Sequence, residues 1–83
     1  MHIAIQVAWQ IVDGEAIIVD LASGKTIGLN PTATFLWSRL EQQDEQNLTR
    51  SLAGAFNIDW ETAASDVRAF LETMRERGLV SES

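Results

Sequence analysis

The sequence predicts an α+β domain, and three observations carry that prediction. Turn signals divide the first part of the chain, Ile3 to Asn30, into short β-rich runs. Capping signals divide the remainder into segments with helical spacing, and the change between the two regimes happens once, at Leu29-Asn30-Pro31. Strands gathered first and helices afterwards is the order of an α+β domain, whereas βαβ units would interleave them. With 83 residues, of which 46% are hydrophobic and 22% charged, the chain reads as one globular domain over residues 1–83 with a single modest core.

The strands follow from their turns. Val12 to Glu15 reads VDGE, and Asp-Gly supplies the positive φ angles of a two-residue type I′ hairpin between two β-rich runs. The second run, Glu15 to Leu21, is almost continuously apolar, as in a central strand with neighbours on both sides. Ala22-Ser23-Gly24 turns the chain back, with Gly24 available for a left-handed position, and a third strand spans Lys25 to Leu29. This is a meander, so the third strand lies at an edge of the sheet. Its residues alternate Lys25, Ile27 and Leu29 on one face against Thr26 and Gly28 on the other. A glycine inside a strand marks either a bulge or bend, or a place where another backbone comes close.

Asn30 and Pro31 explain the abrupt passage from strand to helix, because Asn is a preferred N-cap and Pro is favoured at the first helical position. The first helix places Ala33, Leu36, Trp37 and Leu40 on a core stripe and leaves Phe35 on the opposite side, a candidate exposed position. A second helix, capped at or beside Asp44 and ending near Asn57, gathers Leu48, Leu52, Ala55 and Phe56 on one face. Asp59 is placed to cap a third helix of about 18 residues that stops at Gly78-Leu79. Its wheel puts Trp60, Ala64, Val67, Leu71 and Met74 in a central stripe, which Ala63 and Phe70 extend on one side only. Beside Phe70 lie Asp66, Thr73 and Arg77, so this flank is a mixed apolar and polar strip at the border of the core, where Phe70 reads first as core closure and second as a half-buried groove wall. The other flank, with Glu61, Arg68, Glu72 and Arg75, reads as an ordinary solvated face whose spacing allows i,i+4 ion pairs.

Composition narrows function mostly by exclusion. There is no cysteine or tyrosine and a single histidine, His2, so nucleophiles, general bases and thiolate ligands are scarce; neither a phosphate loop nor a metal-ligand spacing is present. The chain is therefore read as having no catalytic residues, no metal and no cofactor. Twelve acidic against six basic residues give a formal charge of −6, which repels phosphate backbones, so nucleic acid is not expected as a partner. Neither a signal peptide nor a membrane span is read, and the expected location is the cytoplasm.

The features left are an open strand edge and a lopsided helix, which suit β-augmentation: a peptide adds itself to the edge and seats its side chains against the helix. A homodimer formed through the edge strand or a Phe35 patch, acting as a structural or regulatory interaction protein, is the alternative; a nucleic-acid-binding winged helix ranks below it.

Two stretches, VDGEAIIVDLASGKTIGLNPTATFLWSRL and LAGAFNIDWETAASDVRAFLETMRERGLV, resemble the PqqD-like proteins, the precursor-peptide recognition elements. The resemblance rests on Leu29-Asn30-Pro31-Thr32 with Trp37, on Asp66-Val67 with Phe70-Leu71, and on the Gly78-Leu79 ending. It implies a winged-helix-like fold, a three-stranded antiparallel β-sheet followed by three α-helices. It also implies a non-catalytic adaptor that binds the leader of a ribosomally made precursor peptide. Such an adaptor presents the leader to a modifying enzyme, either a radical SAM protein, as in pyrroloquinoline quinone biosynthesis, or the leader peptidase of a lasso-peptide pathway. Carried onto this chain, the peptide-binding residues would be Lys25, Thr26, Ile27, Gly28 and Leu29 on the strand. On the helix they would be Asp66, Val67, Phe70, Met74 and Arg77. Thr26 departs from the aromatic residue that relatives often carry there, and the junction LNPTATFLW looks closer to the broad PqqD-like group that includes the free-standing lasso-pathway proteins.

Overall fold

The computed structural model describes residues 1–82. In chain order the elements are β1 (His2–Ile3), β2 (Val7–Val12), β3 (Glu15–Asp20), β4 (Lys25–Gly28), α1 (Pro31–Trp37), α2 (Glu45–Phe56), α3 (Trp60–Glu76) and β5 (Val80–Ser81). Strands β2, β3 and β4 form the antiparallel meander expected from the turns, with β3 central. Both turn residues of the first hairpin have positive φ, 52° at Asp13 and 81° at Gly14, the pair of values a type I′ turn requires. The central strand stops one residue earlier than its apolar run predicts. The Leu21 amide still bonds the Gln6 carbonyl in the β2–β3 register, but its side chain is 65% exposed.

The junction between β4 and α1 works without a loop because one backbone conformation serves both elements. An N-cap residue is extended, and Asn30 (φ −69°, ψ 172°) simply continues the strand while its Oδ1 accepts from the Ala33 amide at 2.8 Å. Thr34 then locks the junction from inside. Its buried hydroxyl accepts from the Ala16 amide at 2.8 Å and donates to the Leu29 carbonyl at 3.3 Å. The Leu29 amide reaches the Ala16 carbonyl directly at 2.8 Å. The last rung of the β3–β4 ladder is thus half backbone and half threonine.

Helix α1 ends at Trp37, so Leu40 belongs to the following turn, where it is nevertheless fully buried. Phe35 is not the exposed residue its wheel position predicts: it is half-buried, edge-on to Phe56 at 5.4 Å, with the Arg39 guanidinium 3.7 Å from its ring centroid. Asp44 caps α2 as expected, and Asn57 ends it in the left-handed conformation at φ 53°. Leu48 and Leu52 are buried, but Ala55 and Phe56, assigned to the same face, lie in a last turn that extends beyond the core and are exposed.

Helix α3 is capped by Asp59, whose carboxylate accepts from the Thr62 amide at 2.9 Å. It stops in a Schellman motif: Gly78 takes φ 70°, its amide bonds the Arg75 carbonyl, and the Leu79 amide bonds the Met74 carbonyl at 2.9 Å. The buried stripe is Ala63, Val67, Phe70, Leu71 and Met74. It is rotated from the expected one, so Trp60 is 48% exposed, while Phe70, 8% exposed, closes the core as its first reading has it. The i,i+4 ion pairs that the spacing on the solvent flank allows do not form among the described residues; Arg75 pairs with Glu82 beyond the helix. The sequence did not announce the small second sheet, in which β1 and β5 pair antiparallel with His2 opposite Ser81. The core beneath these elements centres on Ile18, Leu36, Trp37, Leu48, Leu52 and Leu71.

Candidate functional site

Strand β4 has a neighbour on one side only, and its register shows which backbone groups are free. In an antiparallel pair, bonded and non-bonded positions alternate. The bond from the Leu29 amide to Ala16 sets the phase, and the pairs Ile18↔Ile27 and Asp20↔Lys25 continue it. Thr26 and Gly28 therefore turn their N–H and C=O groups away from β3, out of the open edge. The ladder passes through Gly28 opposite Ile17 without an extra residue, so the bulge reading of this glycine does not apply.

Beside that edge a cleft runs between the sheet and α3, in two depressions. The first, about 460 Å³, is bounded by Gly28 and Leu29 at the end of β4, by Ala33 and Leu36 of α1, and by Phe70 and Met74 of α3. Asp66, Ala69 and Thr73 complete its helical wall, and Asn30 and Thr32 its rim. The second, about 350 Å³, has an apolar floor of Ile18, Ile27 and Leu79 and a charged margin of Asp20, Lys25, Glu76 and Arg77. Lys25 and Arg77 make no ion pair among the described residues. The Asp20 carboxylate accepts from the Ala22 amide at 3.0 Å, which shapes the turn above this end of the cleft.

The fold thus gathers most of the residues singled out from the sequence, in two groups. Gly28, Leu29, Asp66, Phe70 and Met74 meet at one depression, and Lys25, Ile27 and Arg77 at the other. Thr26 and Val67 line neither depression. The Thr26 side chain alternates onto the outer sheet face, where its contribution is main chain, and Val67 is fully buried behind the α3 wall. Sequence reasoning missed Ala33, Leu36 and Leu79. The first two were assigned wholly to the core, and Leu79 enters only because the Schellman turn folds it back under β4. Among the described residues no group of three or more His, Cys, Asp or Glu is placed to hold a metal ion. No described helix is long and apolar enough to cross a membrane.

Two solved structures share this architecture over nearly their whole length. TbiB1 in complex with the TbiA(beta) leader peptide superposes with a TM-score of 0.92 at 24% identity, covering 100% of this chain and 98% of that one. Lasso peptide synthetase B1 complexed with the leader peptide gives a TM-score of 0.88 at 20% identity, covering 98% and 96%. No curated protein sequence matches the chain. The profile of the coenzyme PQQ synthesis protein D (PqqD) family matches residues 15–80, from the start of β3 to the start of β5, and the chain belongs to that family.

Proposed function

We propose that the chain is a peptide-binding adaptor whose β4 edge receives the leader of a ribosomally made precursor peptide as an additional strand. The observation that carries the reading is the coincidence of two things at one place. Thr26 and Gly28 present unpaired backbone groups, and the cleft beside them is apolar where side chains of an added strand would fall. Main-chain bonds to the edge supply affinity irrespective of sequence, and the cleft selects among sequences. The peptide-binding set is Lys25, Ile27, Gly28, Leu29, Asp66, Phe70, Met74 and Arg77 by side chain or backbone, with Thr26 contributing main chain and Val67 supporting the wall. Membership of the PqqD family and the leader peptides present in both similar structures support this reading.

In this role the protein does no chemistry of its own and holds no cofactor. It acts as a single domain over residues 1–83 in the cytoplasm, delivering the leader to a modifying enzyme, a radical SAM protein or a leader peptidase. Titration of fluorescently labelled leaders tests it directly, using the TbiA(beta) leader and the precursors encoded beside this chain's own gene. Saturable binding by at least one is expected, and none by any of them, with the protein folded, would overturn the proposal. Homodimerisation through the same edge predicts instead a tight dimer by sedimentation with β4 occluded.

A further inference from the structure

Nothing inside the chain requires residue 28 to be glycine. Its φ is not positive, the β3–β4 register runs through it unbroken, and a Cβ built on it would meet nothing within 4 Å. A strand glycine is weakening unless something stands against it, and here nothing in the chain does. The space it leaves lies on the outer sheet face, because its neighbours Ile27 and Leu29 point to the core. On that face Gly28 opens into a depression of about 540 Å³, with Ile17 directly across the ladder as its floor and Val12, 43% exposed, as a wall. Asp13, Glu15 and Asn30 form the rim.

We infer that this depression is a separate subsite of the β4 edge, taking a bulky apolar side chain, aromatic by preference, from the added strand. The inference rests on the reading of β4 as the peptide-docking edge. In an added strand the residue directly opposite Gly28 projects to the same face as Gly28, away from the cleft. No side chain at 28 stands in its way, so it leans across the glycine toward Ile17, as aromatic residues do over edge glycines. The carboxylates of Asp13 and Glu15 stand at the exposed rim, where an ion pair contributes little, while the floor is apolar; an apolar occupant therefore gains more than a basic one. The two faces of the peptide have separate readers: the cleft takes alternate residues and the Gly28 depression takes one between them.

The test is a display library of peptides about ten residues long, a generous strand length, randomised throughout and selected in parallel on the wild-type protein and on Gly28→Val. Valine keeps the edge N–H and C=O and has open space around it, so the fold persists, which thermal melting checks. Wild-type binders are expected to carry a bulky apolar residue at one position between two cleft-facing ones. Gly28→Val is expected to keep the cleft-facing pattern, lose that one preference, and bind a wild-type binder roughly tenfold more weakly. Ile17→Thr, at the floor, is expected to reduce the same preference, and gives a second readout should Gly28→Val misfold. The same preference on all three proteins, unchanged affinity, or a basic residue at that position would overturn the subsite. Selection of no peptide by any of the proteins would instead remove the peptide-docking reading, and the subsite with it.

Discussion

At the residue scale, Thr34 has the most concentrated role. One buried hydroxyl satisfies the Ala16 amide and the Leu29 carbonyl together. A Thr34→Val variant keeps the shape and strands both groups, so chemical denaturation should show a loss of about 1–3 kcal/mol, with Thr34→Ser recovering most of it. Asp59 gives a pH-dependent counterpart at the start of α3. Hydrogen bonds from the Thr62 side chain and backbone N–H hold its carboxyl below the ordinary carboxylate range. Because the folded value is depressed, the associated stability is present above the unfolded-state value and is lost as pH falls through the folded one. Acid titration of Asp59→Asn should therefore show a shallower loss of stability across that window than wild type. Single residues were also where the sequence spoke most clearly: Asp13-Gly14, Asn30-Pro31, Asp44, Asp59 and Gly78 each act on their nearest neighbours, and each does what its local chemistry predicts.

At the scale of elements, the two walls of the cleft respond differently to substitution. Gly28→Pro removes an outward N–H from β4 and puts a ring where an added strand would lie, so peptide binding should be abolished while the fold survives at this edge position. Phe70 is a less simple probe than its wheel position suggests. At 8% exposure it belongs to the core, and Phe70→Ala should cost about 3–5 kcal/mol of stability along with any effect on binding. Phe70→Leu keeps most of the volume and isolates the effect on the cleft: titration of a leader that binds wild type should show reduced affinity with nearly unchanged melting. Element-level legibility was correspondingly mixed. Helical periodicity located α3 and its buried side within a residue or two, but wheel positions near helix ends misled. Trp60, Ala55 and Phe56 have core spacing yet sit in end turns that leave them exposed. Phe35 misled the other way, since Phe56 and Arg39, which cover it, come from outside its own helix.

For the molecule as a whole, the meander leaves a second edge as well as the first. Strand β2 carries no charge, and Trp9, Ile11 and Val12 are each more than 40% exposed. An uncharged apolar edge of this kind invites pairing between copies. Ile11→Lys should therefore suppress concentration-dependent light scattering on prolonged warming and leave peptide affinity unchanged, since Ile11 lines neither the cleft nor the Gly28 depression. The −6 charge acts in the same direction as that lysine only at long range, and salt weakens it, so scattering by the wild-type protein should rise with ionic strength. At this scale the sequence said least. The β1–β5 pairing joins two-residue strands from opposite ends of the chain, too short for any periodicity, and only the three-dimensional closure of α3 onto the sheet brings them together.

That pairing also makes the domain portable. With His2 opposite Ser81, entry and exit of the described chain are about one strand spacing, 5 Å, apart. Residues 1–82 could be spliced into a surface loop of a host enzyme without stretching either partner, and the cleft would keep its shape. A domain fused at either end would start from nearly the same point in space, so both fusions would hold a docked peptide at nearly the same distance from the catalyst they serve.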